Sequence, residues 1–273
     1  MQQPINNCGI GLRIEHFQKI SQQKPKVAWF EILTDNYLIE GTKQRDYLYQ
    51  VRHDYPLTFH GVGLSIGSVD PLNQDYLKRL KKLKEEIQPA WISDHLCWTS
   101  AHGVVTHDLI PLPYNNEVIT HIVSRISKIQ EYLGMPLLIE NVSSYLQFKE
   151  SEMTEWEFIN EIVKKSGCHL LLDVNNIYVS AQNHQFDAKT YLMAMPAQQI
   201  KEIHLAGYED HQTHLLDTHS RPVSDPVWDL FKQTLQTFGD IPSLIEWDND
   251  IPDLEIVLKE ADKADKIRQQ IFP

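Results

Sequence analysis

Several apolar runs of this chain finish on side chains that resist burial. "PLTFHGV" (56–62) carries His60 near its end, and "AWISDHL" (90–96) carries Asp94 and His95. "PLLIEN" (136–141) closes on Glu140 and Asn141, and "HLLLDV" (169–174) on Asp173, with Asn175 and Asn176 just beyond. "IKEIHLA" (200–206) places His204, and "PSLIEW" (242–247) places Glu246 two residues before Asp248. An isolated ionised carboxylate is costly to bury. Glu140, Asp173 and Glu246 brought together would repel one another, so protons or cations must sit among them. Basic residues are few near these run ends, whereas histidines interleaved with carboxylates form the donor set of a divalent metal site.

The stretch after His204, "HLAGYEDHQTHLLDTHS" (204–220), adds His211, His214, Asp217 and His219. In "LDTH", Asp217 and His219 stand two apart, and in an extended segment such side chains share one side. The pair can therefore ligate one ion. The candidate ligands are His60, His95, Glu140, Asp173, His204, Asp217, His219 and Glu246. One catalytic ion takes three or four protein ligands, so this set suits two or three ions. Without cysteine among them, the donors favour iron, manganese or zinc over copper(I) or iron–sulfur clusters.

The remaining polar residues read more plainly. Asp94 is expected to support the ligands rather than to bind an ion. His53, His102, His107, His121 and His169 read as surface or helix residues, and His211 and His214 as loop residues. His184 in "AQNHQFD" is balanced between a structural hydrogen bond and the site, and Asn175 and Asn176 shape the strand exit. His60 taken alone is as compatible with a satisfied core histidine as with a ligand.

The runs that must position these groups number eight once "GIGLRI" (9–14) and "VAWFEIL" (27–33) are included. Amphipathic patterns lie between them. "NQDYLKRLKKLKEEI" (73–87) and "NEVITHIVSRISKIQEYLG" (116–134) have helical periodicity, the second ending on a glycine stop. "TEWEFINEIVKKSG" (154–167) opens on a capping-box pattern, and "DPVWDLFKQTLQTFG" (225–239) opens Asp-Pro and closes on glycine. "DLEIVLKEADKADKIRQQI" (253–271) closes the chain. Alternating strands and helices imply parallel strands, and strands covered on both faces read as near-continuous apolar runs. There is no glycine-rich dinucleotide fingerprint after the first strand. Eight units in about 250 residues predict an α/β chain folded as a single-domain (β/α)₈ TIM-type barrel over residues 1–273, with a short first unit. Catalytic groups of such a barrel sit at the C-terminal strand ends, which brings the six polar run ends to one mouth.

Bulk properties narrow the class. The 273 residues are 42% hydrophobic, enough for a sizeable core. A net charge of −12 argues against nucleic acid as a partner. No apolar run approaches the roughly 18 residues of a membrane span, and "MQQPINNCGIG" has no basic region followed by an apolar stretch, so no signal peptide is expected. Three scattered cysteines, Cys8, Cys97 and Cys168, read as small buried hydrophobes in a reducing, cytoplasmic compartment.

Taken in order, "GIGLRIEHF", "WFEILTDNYL", "FHGVGLSIGS", "SDHLCW", "LIPLPYN", "LLIENVSSYL", "EWEFI", "LLLDVNNIYVSAQNH", "EIHLAGY", "LLDTH" and "LIEWD" span residues 9 to 250. This series resembles the multinuclear non-haem iron-dependent oxidases, the family that includes the methanobactin-biosynthesis oxidase. The resemblance implies a barrel holding two or three irons, mixed Fe(II)/Fe(III), with His60, His95, Glu140, Asp173, His204, Asp217, His219 and Glu246 as ligands, and it adds Asn176. It implies O₂ as co-substrate, a cysteine-containing ribosomal precursor peptide as substrate, and a separate peptide-presenting partner protein. Two positions depart from the family pattern: Asp94 stands where many members have glutamate, and Gln185 stands where glycine is usual, placed to reshape the mouth.

Two other classes fit the donor set. One is a different divalent-metal barrel enzyme, a sugar isomerase or an endonuclease-like hydrolase, which the acidic charge and the added "LDTH" donors fit less well. The other is a non-catalytic metal-binding scaffold or sensor.

Overall fold

The short apolar runs form strands because both their faces are covered: all four residues of "LLIE" at 137–140 are buried. The computed structural model describes residues 5–273, so Met1–Pro4 of the stretch read for a signal peptide lie outside the described residues. The strands are β1 (Cys8–Gly11), β2 (Phe30–Leu33), β3 (Leu57–Gly61), β4 (Ile92–His95), β5 (Trp98–Ala101), β6 (Val104–Ile110), β7 (Leu137–Glu140), β8 (His169–Asp173), β9 (Ile200–Leu205), β10 (Glu209–Asp210), β11 (Leu215–Leu216) and β12 (Ser243–Ile245). Eight of them close into a barrel in the order β1-β12-β9-β8-β7-β4-β3-β2, and these eight are the eight runs read from the sequence. The pairings within the barrel are parallel, as in β3 with β4 and β8 with β9.

The helices are α1 (Phe17–Gln23), α2 (Lys43–Asp54), α3 (Gln74–Ile87), α4 (Asn116–Leu133), α5 (Glu155–Ser166), α6 (Val174–His184), α7 (Ala188–Met193), α8 (Asp225–Phe238) and α9 (Leu254–Ile271). Their ends follow local chemistry. Asn73 and Asn115 cap α3 and α4, each side chain accepting a backbone N–H from inside its helix. Thr154 and Glu157 form the expected capping box of α5. Gly134 and Gly167 end α4 and α5 at φ 68° and 69°, a region that costs glycine nothing. The first unit is short, as expected: a 3₁₀ turn and the seven residues of α1 separate β1 from β2.

Several features escape the sequence pattern, the helices α6 and α7 among them. Helix α2 buries Arg45 along with Leu48 and Val51, which blurs its apolar stripe. Strands β5 and β6 form an antiparallel hairpin just after β4, with β6 largely exposed. Strands β10 and β11 pair within the long segment after β9. The core between barrel and helices contains Phe30, Phe59, Phe158 and Phe231, each fully buried, and each such side chain contributes roughly 1.5–3 kcal/mol through burial. Among the described residues, no helix is long and apolar enough to cross a membrane.

Candidate metal centre

Parallel register assembles the polar run ends. His95 on β4 pairs with Glu140 on β7, and Asp173 on β8 pairs with His204 on β9. His60 lies in β3, and Glu246 directly follows β12. All six are buried.

Five of them form one continuous string of contacts, and Asp173 joins it with a ligand atom within 4.8 Å of those of Glu140, His204 and Glu246. At one end, Glu140 Oε2 lies 3.3 Å from His60 Nε2 and 3.1 Å from His95 Nε2. In the middle, His204 Nδ1 lies 3.8 Å from Glu140 Oε1 and 2.9 Å from Glu246 Oε2. At the other end, His219 Nδ1 lies 3.2 Å from Glu246 Oε2, and His219 Nε2 lies 2.7 Å from Asp217 Oδ1. Of the four sets among the described residues with ligand atoms within 4.8 Å of one another, three lie at this mouth: His60, Glu140 and His204; Glu140, Asp173, His204 and Glu246; and His219, Glu246 and Asp248. Glu140, His204 and Glu246 each belong to two of these.

Short-range structure fixes the donors. Asp173 ends β8 and is also the N-cap of α6, so its Oδ1 accepts the Asn176 backbone N–H while its Oδ2 has no hydrogen-bond partner among the described residues. Asn141 answers why an apolar strand ends in an amide: its side chain donates to the Asp173 carbonyl and accepts from the Asp173 N–H, both at 2.9 Å. That clasp ties the ends of β7 and β8 together. Asn176 donates to the Asn141 carbonyl at 3.0 Å, leaving its own buried Oδ1 unpartnered beside the centre. Asn175 does more than shape the strand exit, since its amide donates to Asp217 Oδ1 at 2.7 Å. Ser143 donates to Asp217 Oδ2 at 3.0 Å, and Tyr145 Oη accepts the Asp217 backbone N–H at 2.9 Å. Asp217 and His219 do meet, but not along an extended segment: β11 stops at Leu216, and His219 adopts φ 47°.

Burial and mutual repulsion set the charges. Burial, with Glu246 and Asp173 adding to it, pushes the Glu140 carboxyl well above its usual range against the pull of His204. Burial likewise raises Asp173 to about 7, His219 opposing and Asp217 assisting. For Glu246 burial is overcome by His204 and His219, which hold it well below the usual carboxylate range. His204 and His219 are held well above the usual imidazole range despite burial, chiefly by Glu246 and Glu31 for the first and by Asp217 and Glu246 for the second. Burial lowers His60 and His95, which favours the neutral ring that ligates metals.

The other residues fall as follows. Asp94 Oδ2 accepts the Leu64 N–H at 3.2 Å and belongs to none of the metal-compatible sets. His184 Nε2 is hydrogen-bonded to Ser144 Oγ at 2.7 Å, a structural contact beside the centre. His53, His102, His107, His211 and His214 are exposed, His121 contacts the Ser68 carbonyl, and His169 contacts Gln199. All three cysteines are buried and free, their thiols pushed up by burial. Sequence reasoning missed Glu31 and Glu202, whose carboxylates reach His204 from below. Both lie inside their runs rather than at the ends, and alternation along β9 (Glu202 and His204 two apart) was the available signal. Asp248, noted in the sequence but left out of the ligand set, contacts His219 Nδ1 at 3.1 Å.

The residues present fit a multi-ion centre. Both Glu140 oxygens, Asp173 Oδ2 and Asn176 Oδ1 are buried without a hydrogen-bond partner among the described residues. Leaving such atoms unpaired costs roughly 1–3 kcal/mol each, more when charged. The one arginine reaching this cluster among the described residues is Arg13, 4.0 Å from Glu246 and paired with Asp248. The fold and site together define a (β/α)₈ barrel with a buried histidine–carboxylate centre at the C-terminal strand ends.

Residues 7–269 match the family described as "RiPP precursor modification enzyme MbnB/TglH/ChrH", and the chain belongs to that family. A UPF0276 protein of Acaryochloris marina is 51% identical over 96% of this chain and 94% of its own length. A UPF0276 protein of Anaeromyxobacter sp. is 49% identical, covering 95% and 92%. Among solved structures, a xylose isomerase-like TIM barrel protein from Mycobacterium smegmatis in complex with magnesium superposes with TM-score 0.64 at 9% identity, covering 98% of each chain. A D-psicose 3-epimerase determined in the presence of D-fructose superposes with TM-score 0.60 at 11% identity, covering 97% and 99%. At these identities the likeness to the solved structures is one of fold.

Proposed function

We propose that this chain is a multinuclear iron-dependent oxidase that uses O₂ to modify a ribosomally made precursor peptide at cysteine. The family match supports an enzyme acting on such precursors. The observation that carries the metal reading is the unpartnered, buried Glu140 carboxylate, shared between the His60 and Asp173 sides of one string of donors.

His60, His95, Glu140, Asp173, Asn176, His204, Asp217, His219 and Glu246 would hold two or three irons. Bound there, the iron would supply the redox chemistry with O₂. The chain's own residues do the rest. Neutral His60 and His95 present lone pairs at one end. The Asn141 clasp keeps the β7 and β8 donors in register. Ser143, Tyr145 and Asn175 hold Asp217 at the rim.

A cavity of about 350 Å³, with Tyr114, Phe148, Trp156 and Phe186 among its walls, shares the 142–148 segment with the centre through Ser144. Its apolar lining suits a peptide side chain next to the modified residue. A cysteine-containing precursor, presented by a separate partner protein, is the substrate this reading expects.

The test is metal analysis and Mössbauer spectroscopy on protein purified without oxygen from iron-supplemented cells. Two to three irons per chain, with a spectral change on adding a cysteine peptide, is the expected result. Zinc or manganese alone despite iron supplementation would refute the iron reading.

A further inference from the structure

Below the metal-binding mouth, two carboxylates converge on the inner nitrogen of His204. Glu31 lies on β2 and Glu202 on β9, and they are 2% and 0% exposed. Each is anchored through one oxygen only. Thr58 Oγ1 donates to Glu31 Oε2 at 2.9 Å, and Trp91 Nε1 donates to Glu202 Oε2 at 2.6 Å. Those anchors turn the remaining oxygens toward the same atom: His204 Nε2 lies 2.9 Å from Glu31 Oε1 and 3.6 Å from Glu202 Oε1. The nitrogen lies between the two oxygens, and neither contact has hydrogen-bond geometry: His204 Nε2 and Glu202 Oε1 are both buried without a hydrogen-bond partner among the described residues, so a small turn of the ring or of either carboxylate decides which oxygen receives the N–H. The opposite nitrogen, Nδ1, faces Glu140 and Glu246.

We propose that Glu31 and Glu202 are positioning residues that fix the His204 ring with Nε2–H turned into the barrel and Nδ1 offered to the metal. This rests on the reading of the mouth as a metal centre. A ligating histidine commonly donates its second N–H to a carboxylate, which fixes the ring and raises its basicity. Here the acceptor is doubled, and each half is set by a separate strand contact. The neighbouring strands dictate the arrangement: Glu31 pairs in register with Thr58 on β3, and Glu202 precedes His204 by two on β9, so both glutamates point into the barrel. His60 and His95 are each held at Nδ1 by one neutral group, Ser93 Oγ at 2.8 Å and the Gly61 carbonyl at 3.0 Å, so among these histidines His204 is the one backed by two carboxylates. Carboxylate acceptance behind the ring raises the basicity of Nδ1 and would favour the more oxidised metal there.

The same three groups have ligand atoms within 4.8 Å of one another. An inner ion on Glu31, Glu202 and the far side of His204 is the competing arrangement. Both Oε2 atoms are already committed to Thr58 and Trp91, which leaves such an ion three donor atoms in the barrel core.

The test compares the full-length wild type with Glu31→Gln and Glu202→Gln. Gln keeps the size and can still meet Thr58 or Trp91, and circular dichroism and Tm of the metal-free proteins establish that each variant folds. Proton and ¹⁵N NMR of the metal-free protein report the His204 Nε2–H, which the proposal expects downfield in the wild type and displaced in Glu31→Gln. In iron-loaded protein, each variant is expected to bind roughly 10–100-fold more weakly and to show a midpoint potential higher than wild type. An unmoved Nε2–H signal, or unchanged affinity and potential in folded variants, would overturn the proposal. So would a wild type holding one extra ion that both variants lose while the remaining irons keep their potential, since that is the inner-ion arrangement. A wild type that binds no transition metal would sink the metal reading instead, and the NMR comparison would still decide the hydrogen bond.

Discussion

Nδ1 of His204 lies 2.9 Å from Oε2 of Glu246, and both atoms are buried at the junction of two metal-compatible groups. Removing the carboxylate leaves the imidazole facing a vacated ligand position on both sides. Glu246→Ala is therefore expected to lose metal from the His204 and the His219 ends together. Metal analysis after anaerobic iron loading checks this, and a variant with full wild-type stoichiometry would count against Glu246 as a shared ligand.

Glu140 connects the opposite end in the same way, with Oε2 toward His60 and His95 and Oε1 toward His204. Glu140→Ala is expected to remove more iron per chain than His95→Ala, since Glu140 belongs to two of the metal-compatible groups among the described residues, whereas His95 lies outside them and meets the string's carboxylates through Glu140 Oε2. Iron-to-protein ratios for the two variants, with Mössbauer spectra to separate the sites, decide the order.

The raised carboxyl of Asp173 makes metal binding and stability pH-dependent. Its folded-state value of about 7 exceeds the ordinary 3.8. A group raised in this way stabilises the metal-free fold fully below its unfolded value and loses that contribution as pH climbs through the folded one. Metal-free protein is thus expected to lose Tm between about pH 4 and 7 from this residue, whereas bound metal displaces the proton and removes the loss. The Tm gap between loaded and metal-free protein should widen with pH. Asp173→Asn should flatten the metal-free part of the curve in a differential scanning series.

Gly207 follows β9 where the chain leaves for the segment carrying Asp217 and His219. A Cβ there would lie 2.2 Å from the Arg221 carbonyl oxygen and 2.5 Å from that of Pro222, and neither backbone atom can swing aside. Gly207→Ala is expected to cost about 1–3 kcal/mol and to weaken metal retention at the His219 end more than at the His60 end. Denaturant melts together with site-resolved Mössbauer intensities test both parts.

Gln185 takes φ 58° at the C-terminus of α6, the left-handed region where a Cβ is unfavourable. Gln185→Gly is expected to raise stability by about 0.5–1 kcal/mol with metal content unchanged. A drop in chemical-denaturation midpoint would show that the Gln185 side chain has a role the backbone does not reveal.

The sequence alone determined the barrel strands and which end of them carries chemistry. Apolar runs such as "HLLLDV" must be covered on both faces, and a charged residue at the end of such a run lies where the strand leaves the core. Caps at Asn73, Asn115 and Thr154 are equally local, since one side chain satisfies backbone groups only a few residues away. Helix α2 was hidden because buried Arg45 breaks its apolar stripe, and the β5–β6 hairpin because β6 is largely exposed and its turn, His102-Gly103 at φ 53° and 75°, is a weaker signal than Asn-Gly.

Tertiary structure decided which donors meet. Register across β4–β7 and β8–β9 sets His95 beside Glu140 and Asp173 beside His204, and no local rule specifies register between strands tens of residues apart. It also gave Asn141 its purpose as a backbone clasp and turned His219 onto Asp217 through a left-handed residue rather than an extended one. Glu31 and Glu202 were the least legible of all. Within their own runs they look like polar interruptions of a strand. Glu202 stands two residues before His204 on β9, and only closure of the barrel brings Glu31 from β2 to the same inner nitrogen.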